Sequence, residues 1–221
     1  MKQKLIIIEG LDGCGKTTQT ELIKKVFPDF RYITFPNYDS PSGEIIKSYL
    51  DGNYKETDNA VSAYTASCFY AVDRYTGYKT DWEQDIRENR TVISSRYVSS
   101  NAIYQMTKLS EENWDEYLNW LYDLEYNKFG IPRPFATLFL DMPVDISRQF
   151  LLNRYEGDEK RLDIHENDLR FMESCRKTAG YVAKKEGWIM IPCSENGKPL
   201  SIESIHNTII TKIKELLKQL K

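Results

Sequence analysis

The stretch GLDGCGKTT, residues 10–18, decides the fold and contains three glycines and a lysine. It follows the apolar run at residues 5–8 and leads into a segment with helical spacing. Residues 10–17 match G-x-x-x-x-G-K-[ST] in its proper context, between a strand and a helix. Because glycine has no β-carbon, backbone N–H groups can surround phosphate oxygens at the amino end of that helix. The sequence therefore predicts a phosphate-binding loop.

Two side chains of this loop have distinct expected roles. Lys16 would place a positive charge on the β- and γ-phosphates of ATP, and the Thr17 hydroxyl can ligate Mg²⁺. The residues predicted to bind ATP are Gly10, Leu11, Asp12, Gly13, Cys14, Gly15, Lys16, Thr17 and Thr18. The alternative is a glycine-rich turn with a chance lysine, which the flanking strand and helix disfavour. Many phosphate chemistries use such a loop, so it does not identify the reaction.

The chain lacks the further motifs of two common classes of nucleotide-binding protein. A GTPase would need N/T-K-x-D, and the nearest match, residues 127–130 (NKFG), has no aspartate. A protein kinase would need H-R-D, and neither His165 nor His206 has that context. The phosphate acceptor must therefore be inferred from other stretches of the chain.

Composition limits the class of protein and its partners. The chain has 221 residues, 41% of them hydrophobic, and a net charge of -3, which gives no reason to expect a nucleic-acid polymer as partner. No apolar run approaches the ~20 residues of a membrane span, and the apolar start is too short for a signal peptide. The four cysteines show no C-x-x-C spacing, which disfavours a zinc site or a disulfide framework. We expect a cytoplasmic protein without a membrane partner.

Short apolar runs alternate with longer helical segments. Strands are predicted at 5–9, 31–35, 91–95, 135–141 and 188–192, and helices at 16–27, 43–51, 57–89 with a break, 97–108, 111–129, 144–153, 165–186 and 201–220. This alternation is typical of right-handed βαβ units around a parallel sheet covered on both faces. Neither an internal repeat nor a linker interrupts it, so we expect one α/β domain over residues 1–221.

Two predicted helices carry apolar faces. Segment 111–129 has acidic positions interpreted as a solvated face: Glu111, Glu112, Asp115, Glu116, Asp123 and Glu125. Its positions expected to be buried, within the chain or against a second copy, are Trp114, Tyr117, Leu118, Leu121 and Tyr122. Segment 201–220 has an apolar stripe at spacings of three and four: Ile202, Ile205, Ile209, Ile213, Leu216 and Leu220. That stripe predicts a packing face.

Four stretches, in this order, resemble thymidylate kinase, the nucleoside-monophosphate kinase family that makes dTDP from dTMP and ATP. They are EGLDGCGKTTQ (9–19), TFPNYDSPSG (34–43), SCFYAVDRY (67–75) and SSRYVSSNAIYQ (94–105). The resemblance covers almost the whole chain. It implies a P-loop nucleoside-monophosphate kinase fold with a five-stranded parallel sheet of order 2-3-1-4-5, Mg²⁺ with ATP, and a homodimer. It also implies a mobile lid at about 153–168.

The resemblance, together with spacing, suggests an acceptor pocket. Tyr70 and Arg74 are four residues apart and share a helix face, and the family uses these positions to stack on thymine and to hydrogen-bond it. Arg96 matches the family arginine that grips the acceptor phosphate. The residues predicted to bind the acceptor are Asp12, Phe35, Pro36, Tyr70, Arg74, Arg96, Ser100, Tyr104 and Gln105. The alternatives are a core tyrosine, a surface arginine paired with Asp73 or Asp85, and ordinary helix packing for Ser100 and Tyr104.

Catalysis needs positive charge on the transferring phosphoryl group. Some thymidylate kinases have an arginine within the phosphate loop, where this chain has residues 11–14 (LDGC). The chain therefore resembles the branch whose lid supplies that charge, and the lid candidates are Arg161, then Arg154, with Lys160 also considered. The predicted catalytic residues are Lys16, Arg96, Arg161 and Arg154. The alternative for the lid residues is a solvated charged loop.

Two positions depart from the family pattern. The family commonly has Asp-Arg where this chain has Ser95-Arg96, and many relatives carry an arginine near Asn37-Tyr38. We hypothesise that Ser95 holds a metal-bound water while Asp12 supplies the carboxylate, with Glu9 as a second candidate. Asp12 and Thr17 are the predicted metal-binding residues. A kinase for another nucleotide or nucleoside, or a degenerate regulatory protein that binds nucleotides, is the alternative reading of these departures.

Overall fold

A central parallel sheet organises the chain, which a computed structural model describes over residues 4–54, 61–154 and 168–220. Its strands are β1 Leu5–Gly10, β2 Arg31–Thr34, β3 Val92–Ser95, β4 Ala136–Asp141 and β5 Ile189–Pro192. They lie in the order β2-β3-β1-β4-β5, which confirms the predicted topology. A small antiparallel hairpin of β6 Ser194–Glu195 and β7 Lys198–Pro199, which was not predicted, follows the sheet.

Helices lie between the strands, close to the predicted segments. They are α1 Lys16–Val26, α2 Pro41–Leu50, α3 Ala63–Gly77, α4 Glu83–Arg87, α5 Val98–Tyr104, α6 Trp114–Tyr122, α7 Val144–Arg154, α8 Leu169–Glu186 and α9 Ile202–Gln219. Serine and aspartate side chains fix several helix starts. For example, Ser62 accepts a hydrogen bond from the Thr65 N–H, and Asp168 accepts from the N–H groups of Arg170 and Phe171.

Two predicted long helices are interrupted by irregular turns. After α3, a π-helical turn at Tyr78–Trp82 precedes α4, and another at Asp123–Lys128 follows α6. Short 3₁₀ turns at Met106–Lys108 and Glu111–Asn113 lie between α5 and α6. These interruptions are the main local difference from the predicted helix boundaries.

The core lies on both faces of β1, whose residues are all buried. Leu5 and Ile7 pack with residues of α5 and α6, whereas Ile6 and Ile8 pack with α1 and α9. This alternation is what a strand covered on both faces requires, because successive side chains point to opposite sides. The strand that leads into the phosphate loop is therefore packed on both sides.

The structure corrects two of the predicted helix faces. Glu125, expected on a solvated face, is completely buried. The apolar stripe of α9 begins at Ile205, because the Ile202 side chain is 58% exposed. Trp114, Tyr117, Leu118 and Leu121 of α6 are buried within this chain, so they do not need a second copy to cover them. Within the described residues, no helix is both long enough and apolar enough to cross a membrane.

Candidate active site

The phosphate loop turns between β1 and α1. Gly13 has a φ of +77°, and a β-carbon there would lie 2.3 Å from the Ser147 carbonyl oxygen of α7. Only glycine therefore fits this close contact between the loop and α7. Gly15 caps α1 without a side chain, so the first-turn N–H groups have no side-chain partner at the N-cap. These groups and the helix dipole favour an anion.

Lys16 lies along the inside of this loop. Its ammonium group donates to the carbonyl oxygens of Gly10 (2.7 Å) and Leu11 (2.8 Å), and the residue is buried. Thr17 and Thr18 are exposed on the first turn of α1. Burial raises the pKa of the Cys14 thiol, although Lys16 and Arg96 oppose that shift. A protonated buried thiol fits a packing role for Cys14.

Arg96 leaves the end of β3 in an unusual backbone conformation. Its φ is +66°, a left-handed region that costs a non-glycine residue on the order of 1–3 kcal/mol. The Arg96 N–H donates to the Ile8 carbonyl of β1 (3.1 Å), and its own carbonyl accepts from the Ser94 hydroxyl (2.6 Å). This turn directs the guanidinium to the Asp12 carboxylate of the phosphate loop, with which it forms an ion pair.

Tyr104 also contacts the Arg96–Asp12 ion pair, which lies beyond the carboxyl ends of β1 and β3. Its hydroxyl donates to the second oxygen of Asp12 (3.0 Å), and the guanidinium carbon of Arg96 lies 5.1 Å from the centre of its ring. Asp12 and Arg96 are therefore held by each other and by one aromatic side chain.

Glu9 lies directly behind this group and is completely buried. Its carboxylate accepts from the hydroxyls of Ser99 (2.7 Å) and Ser100 (2.8 Å) and from the Gly10 N–H (3.1 Å). A guanidinium nitrogen of Arg96 is 3.8 Å away. These partners favour a structural role for Glu9, joining β1 to α5, over the metal-ligating role considered from the sequence.

A cleft lined by both aromatic and polar side chains opens beside the phosphate loop. Its lining residues are Asp12, Phe35, Pro36, Tyr38, Leu50, Tyr70, Arg74, Arg96, Tyr97, Ser100, Asn101, Tyr104 and Gln105. Every residue predicted to bind the acceptor is in this set. The structure thus brings together side chains that the sequence distributes from position 12 to position 105.

Arg74 is neither on the surface nor paired with Asp73 or Asp85, as the alternative reading supposed. It is 2% exposed, and its Nε and Nη2 each donate to one oxygen of Glu125 at 2.6 Å. Its Nη1 lies 3.4 Å from the Tyr97 carbonyl oxygen. Arg74 therefore lines the cleft with a guanidinium held from behind by a buried carboxylate.

Asp73, the neighbour of Arg74, holds the loop that follows β2. It is almost completely buried and accepts from the Asn37 N–H (2.8 Å) and from the hydroxyls of Ser40 (3.0 Å) and Ser42 (2.8 Å). At Gly43, a β-carbon would lie only 2.0 Å from the Asn37 carbonyl oxygen. Both contacts keep Pro36 and Tyr38 at the wall of the cleft.

The predicted lid lies mostly outside the described residues. Arg161 and Lys160 fall in residues 155–167, of which the structure gives no description. Arg154 is exposed at the carboxyl end of α7, the helix that packs against Gly13. Their catalytic role stays a prediction.

Sequence reasoning missed several residues that line the cleft or support it from behind. Tyr97 and Asn101 lie within a quoted motif but were given no role, and Asp73 was considered only as an alternative partner for Arg74. Glu125 could have been found, because it follows Leu121 by four residues and therefore lies on the apolar face of its helix. An acidic residue on a buried face needs a positive partner.

The sheet order, the phosphate loop between β1 and α1 and the adjoining cleft define a P-loop kinase of the nucleoside-monophosphate type. The sequence matches the family model described as thymidylate kinase over residues 8–209. The chain belongs to the thymidylate kinase family.

Individual relatives agree with this assignment. A probable thymidylate kinase from Methanococcus maripaludis is 33% identical over 88% of this chain and 80% of its own length. The thymidylate kinase of Mycobacterium tuberculosis is 28% identical over 83% of this chain and 87% of its own. A solved structure of thymidylate kinase from Candida albicans superposes with a TM-score of 0.71 at 20% identity, covering 97% of this chain and 92% of that one. That superposition supports the fold.

Replacing Asp73 with asparagine should loosen the loop after β2. An amide group would face three donors with only one oxygen, and an unsatisfied buried donor costs about 1–3 kcal/mol. We expect Asp73→Asn to lower the free energy of unfolding in urea by that amount. The exposed Asp81, which pairs with Arg31 at 2.5 Å, supplies the control Asp81→Asn, expected to change stability by about 0.5 kcal/mol or less. Equal stabilities of the two variants would contradict this role for Asp73.

Proposed function

We propose that this chain transfers the γ-phosphoryl group of ATP to dTMP, giving dTDP and ADP. The observation that carries the proposal is that Tyr70, Arg74 and Arg96 line a single cleft together with Asp12 of the phosphate loop. A nucleoside monophosphate bound there would have its base among aromatic side chains and its phosphate near the loop expected to hold ATP. Membership of the thymidylate kinase family supports dTMP as the acceptor.

The base end of the cleft suits a flat, neutral ring. Burial raises the pKa of Tyr70, so its ring remains an uncharged phenol at physiological pH. The Tyr49 ring packs edge-on against it, with ring centres 6.3 Å apart. Stacking of a base on such a ring contributes about 1–3 kcal/mol with little preference among bases. Selection of thymine must therefore come from polar groups and from a fitted space for its methyl group.

Gln105 is one such polar group. It is 4% exposed and lines the cleft, and its Oε1 has no hydrogen-bond partner among residues 4–54, 61–154 and 168–220. A buried acceptor without a partner is unusual in a folded protein. We propose that this oxygen accepts a hydrogen bond from the bound nucleotide.

The phosphate end depends on Arg96. A guanidinium binds phosphate through paired, charge-assisted hydrogen bonds, and the Arg96 guanidinium already lies at the phosphate loop against Asp12. We propose that the acceptor phosphate takes over part of this pairing and that Asp12 then accepts from the sugar 3′-hydroxyl. No general base is required, because a phosphate monoester is already an anionic nucleophile.

The donor end relies on the first turn of α1 and on Lys16. The backbone N–H groups and the Lys16 ammonium would bind the β- and γ-phosphates and hold them in line with the acceptor oxygen. Extra positive charge on the transferring group would come from Arg161 or Arg154, because residues 11–14 contain no arginine. This assignment to the branch with lid arginines is part of the proposal.

The oxygen groups at this edge of the sheet fit Mg²⁺, which commonly takes one or two protein groups together with substrate phosphates. Thr17 has an exposed position on the first turn of α1, and the Asp12 side chain is 29% exposed. Among the described residues, no group of three or more histidine, cysteine or acidic side chains could hold a metal. Mg²⁺ bound with ATP would neutralise charge on the β- and γ-phosphates. Thr17 and Asp12 are the proposed protein contacts.

The homodimer, the cytoplasmic location and the single-domain organisation with a lid at about 153–168 are further parts of this proposal. They rest on the family and on the sequence. Of the aromatic residues of α6, Trp114 and Tyr117 are buried within the chain, whereas Trp120 and Tyr122 are only partly buried.

A panel of acceptors tests the proposed reaction directly. With ADP release as the measurement, we expect kcat/KM for dTMP to exceed that for dUMP by about tenfold or more, since one methyl contact is worth ~1–3 kcal/mol. Activity with dCMP and dGMP should be lower still. The variant Lys16→Met controls for contaminating kinases and should be inactive.

Two results of the panel would contradict the proposal. A faster reaction with another monophosphate or with a nucleoside would make the chain a different kinase. Tight binding of both dTMP and ATP without turnover would favour a regulatory protein.

Ser95 offers a separate test of the metal hypothesis. If Ser95 holds a metal-bound water, the variant Ser95→Asp should lower the Mg²⁺ concentration needed for half-maximal rate, because it adds a negative charge near the metal. The control Ser95→Asn has a similar size and no charge, and it should not lower that concentration. An unchanged Mg²⁺ requirement in Ser95→Asp would count against the hypothesis.

A further inference from the structure

The Arg74–Glu125 pair is the most deeply buried ion pair among the described residues, with side-chain exposures of 2% and 0%. Both oxygens of Glu125 accept from Arg74, each at 2.6 Å, so the contact is bidentate. We propose that Glu125 is a positioning residue that fixes the Arg74 guanidinium for reading the pyrimidine base. This inference rests on the proposed function, since it assigns a role within the same acceptor site.

The surroundings of Glu125 hold its carboxylate in one orientation. The Asn101 side-chain amide donates to Glu125 at 3.4 Å and to the Ser67 carbonyl oxygen at 3.2 Å. The Tyr117 hydroxyl lies 2.6 Å from the Ser67 hydroxyl. Three elements, α3, α5 and α6, thus contribute to one buried polar network.

An irregular backbone turn determines the position of Glu125. It lies in the π-helical turn Asp123–Lys128, where the Phe129 N–H donates to the Leu124 carbonyl (2.9 Å) and the Ile131 N–H donates to the Glu125 carbonyl (3.1 Å). Such turns occur often at functional sites. Arg74 lines the cleft, whereas Glu125 does not. The turn therefore places the Glu125 carboxylate behind Arg74, on the side away from the cleft.

Burial and the charge of Arg74 act in opposite directions on Glu125. Burial raises the pKa of Glu125, and the Arg74 charge and hydrogen bonds oppose that shift. Removing one partner of such a pair leaves an uncompensated buried charge. Glu125 is therefore the group that makes a buried guanidinium tolerable beside an apolar pocket.

The pairing also determines what Arg74 offers to a base. Arginine has only donors, five in all. Glu125 accepts from Nε and from one position on Nη2, and the Tyr97 carbonyl accepts from Nη1, which leaves one donor on each Nη nitrogen. A donor at this wall favours thymine, which has a carbonyl oxygen at position 4, over cytosine, which has an amino group there. The pair thus gives the site its preference for thymine.

Equilibrium binding of dTMP and dCMP tests this inference. We expect the wild-type protein to bind dTMP more tightly, and Glu125→Gln to reduce the ratio of the two dissociation constants by about tenfold, since it leaves the guanidinium without its bidentate partner. The dissociation constant for ATP should stay within about twofold. In turnover assays the change should appear in KM for dTMP more than in kcat.

Two further variants separate positioning from a general effect on folding. Asp123→Asn changes an exposed acid of the same turn, which pairs with Lys128 at 3.7 Å, and should leave the ratio unchanged. Glu125→Asp keeps the charge but shortens the side chain, and should give an intermediate ratio. If Glu125→Gln does not fold, Glu125→Asp decides the question.

The outcomes are distinguishable from failure of the proposed function. A folded Glu125→Gln or Glu125→Asp variant that keeps the wild-type ratio would overturn the positioning role, because a purely structural pair would lower the melting temperature and leave base preference intact. Equal wild-type affinities for dTMP and dCMP would also overturn it. A wild-type protein that prefers dTMP in binding but does not phosphorylate it would refute the proposed reaction alone.

Discussion

The parallel pairing of β1 with β3 is the constraint on which the site depends. Ile8 lies opposite Ser95 in this register, so the loops that leave the two strands start side by side. One loop carries Asp12 and the phosphate cradle, and the other carries Arg96, turned toward Asp12 by its left-handed backbone. Ligand sites of open α/β sheets lie beyond the carboxyl ends of the strands. Here that general rule brings the phosphate loop next to Arg96, the residue proposed to bind the acceptor phosphate.

Buried carboxylates hold the cleft from behind. Glu9 joins β1 to α5 beneath Arg96, Glu125 holds Arg74, and Asp73 holds the loop after β2. Each is almost inaccessible to solvent, and each accepts two or more hydrogen bonds. Groups fixed in this way bind a substrate without first having to be ordered, which is the physical basis of preorganisation. The same arrangement explains how arginines can line a largely apolar pocket.

Much of the fold could be predicted from sequence because it depends on local patterns. The five strands are apolar runs between helical segments, and the glycine spacing of residues 10–17 identifies the loop. The positions of Tyr70, Arg74 and Arg96 in one cleft came from motif resemblance, since no local rule relates residue 12 to residue 105. The burial of Glu125 was missed because acidic residues were assigned to solvent by type, although its spacing from Leu121 pointed inward. The π-helical turns at Tyr78–Trp82 and Asp123–Lys128 have no clear local signal in the sequence.

The most direct test of the central claim is to measure how tightly Arg96→Lys binds each substrate. Lysine keeps the charge that compensates Asp12 but cannot form the paired contact of a guanidinium with phosphate. If acceptor and donor phosphates occupy adjoining sites as described, the dissociation constant for dTMP should rise about tenfold or more, while that for ATP changes less than about twofold. Unchanged binding of dTMP, or an equal loss for both nucleotides, would contradict the account.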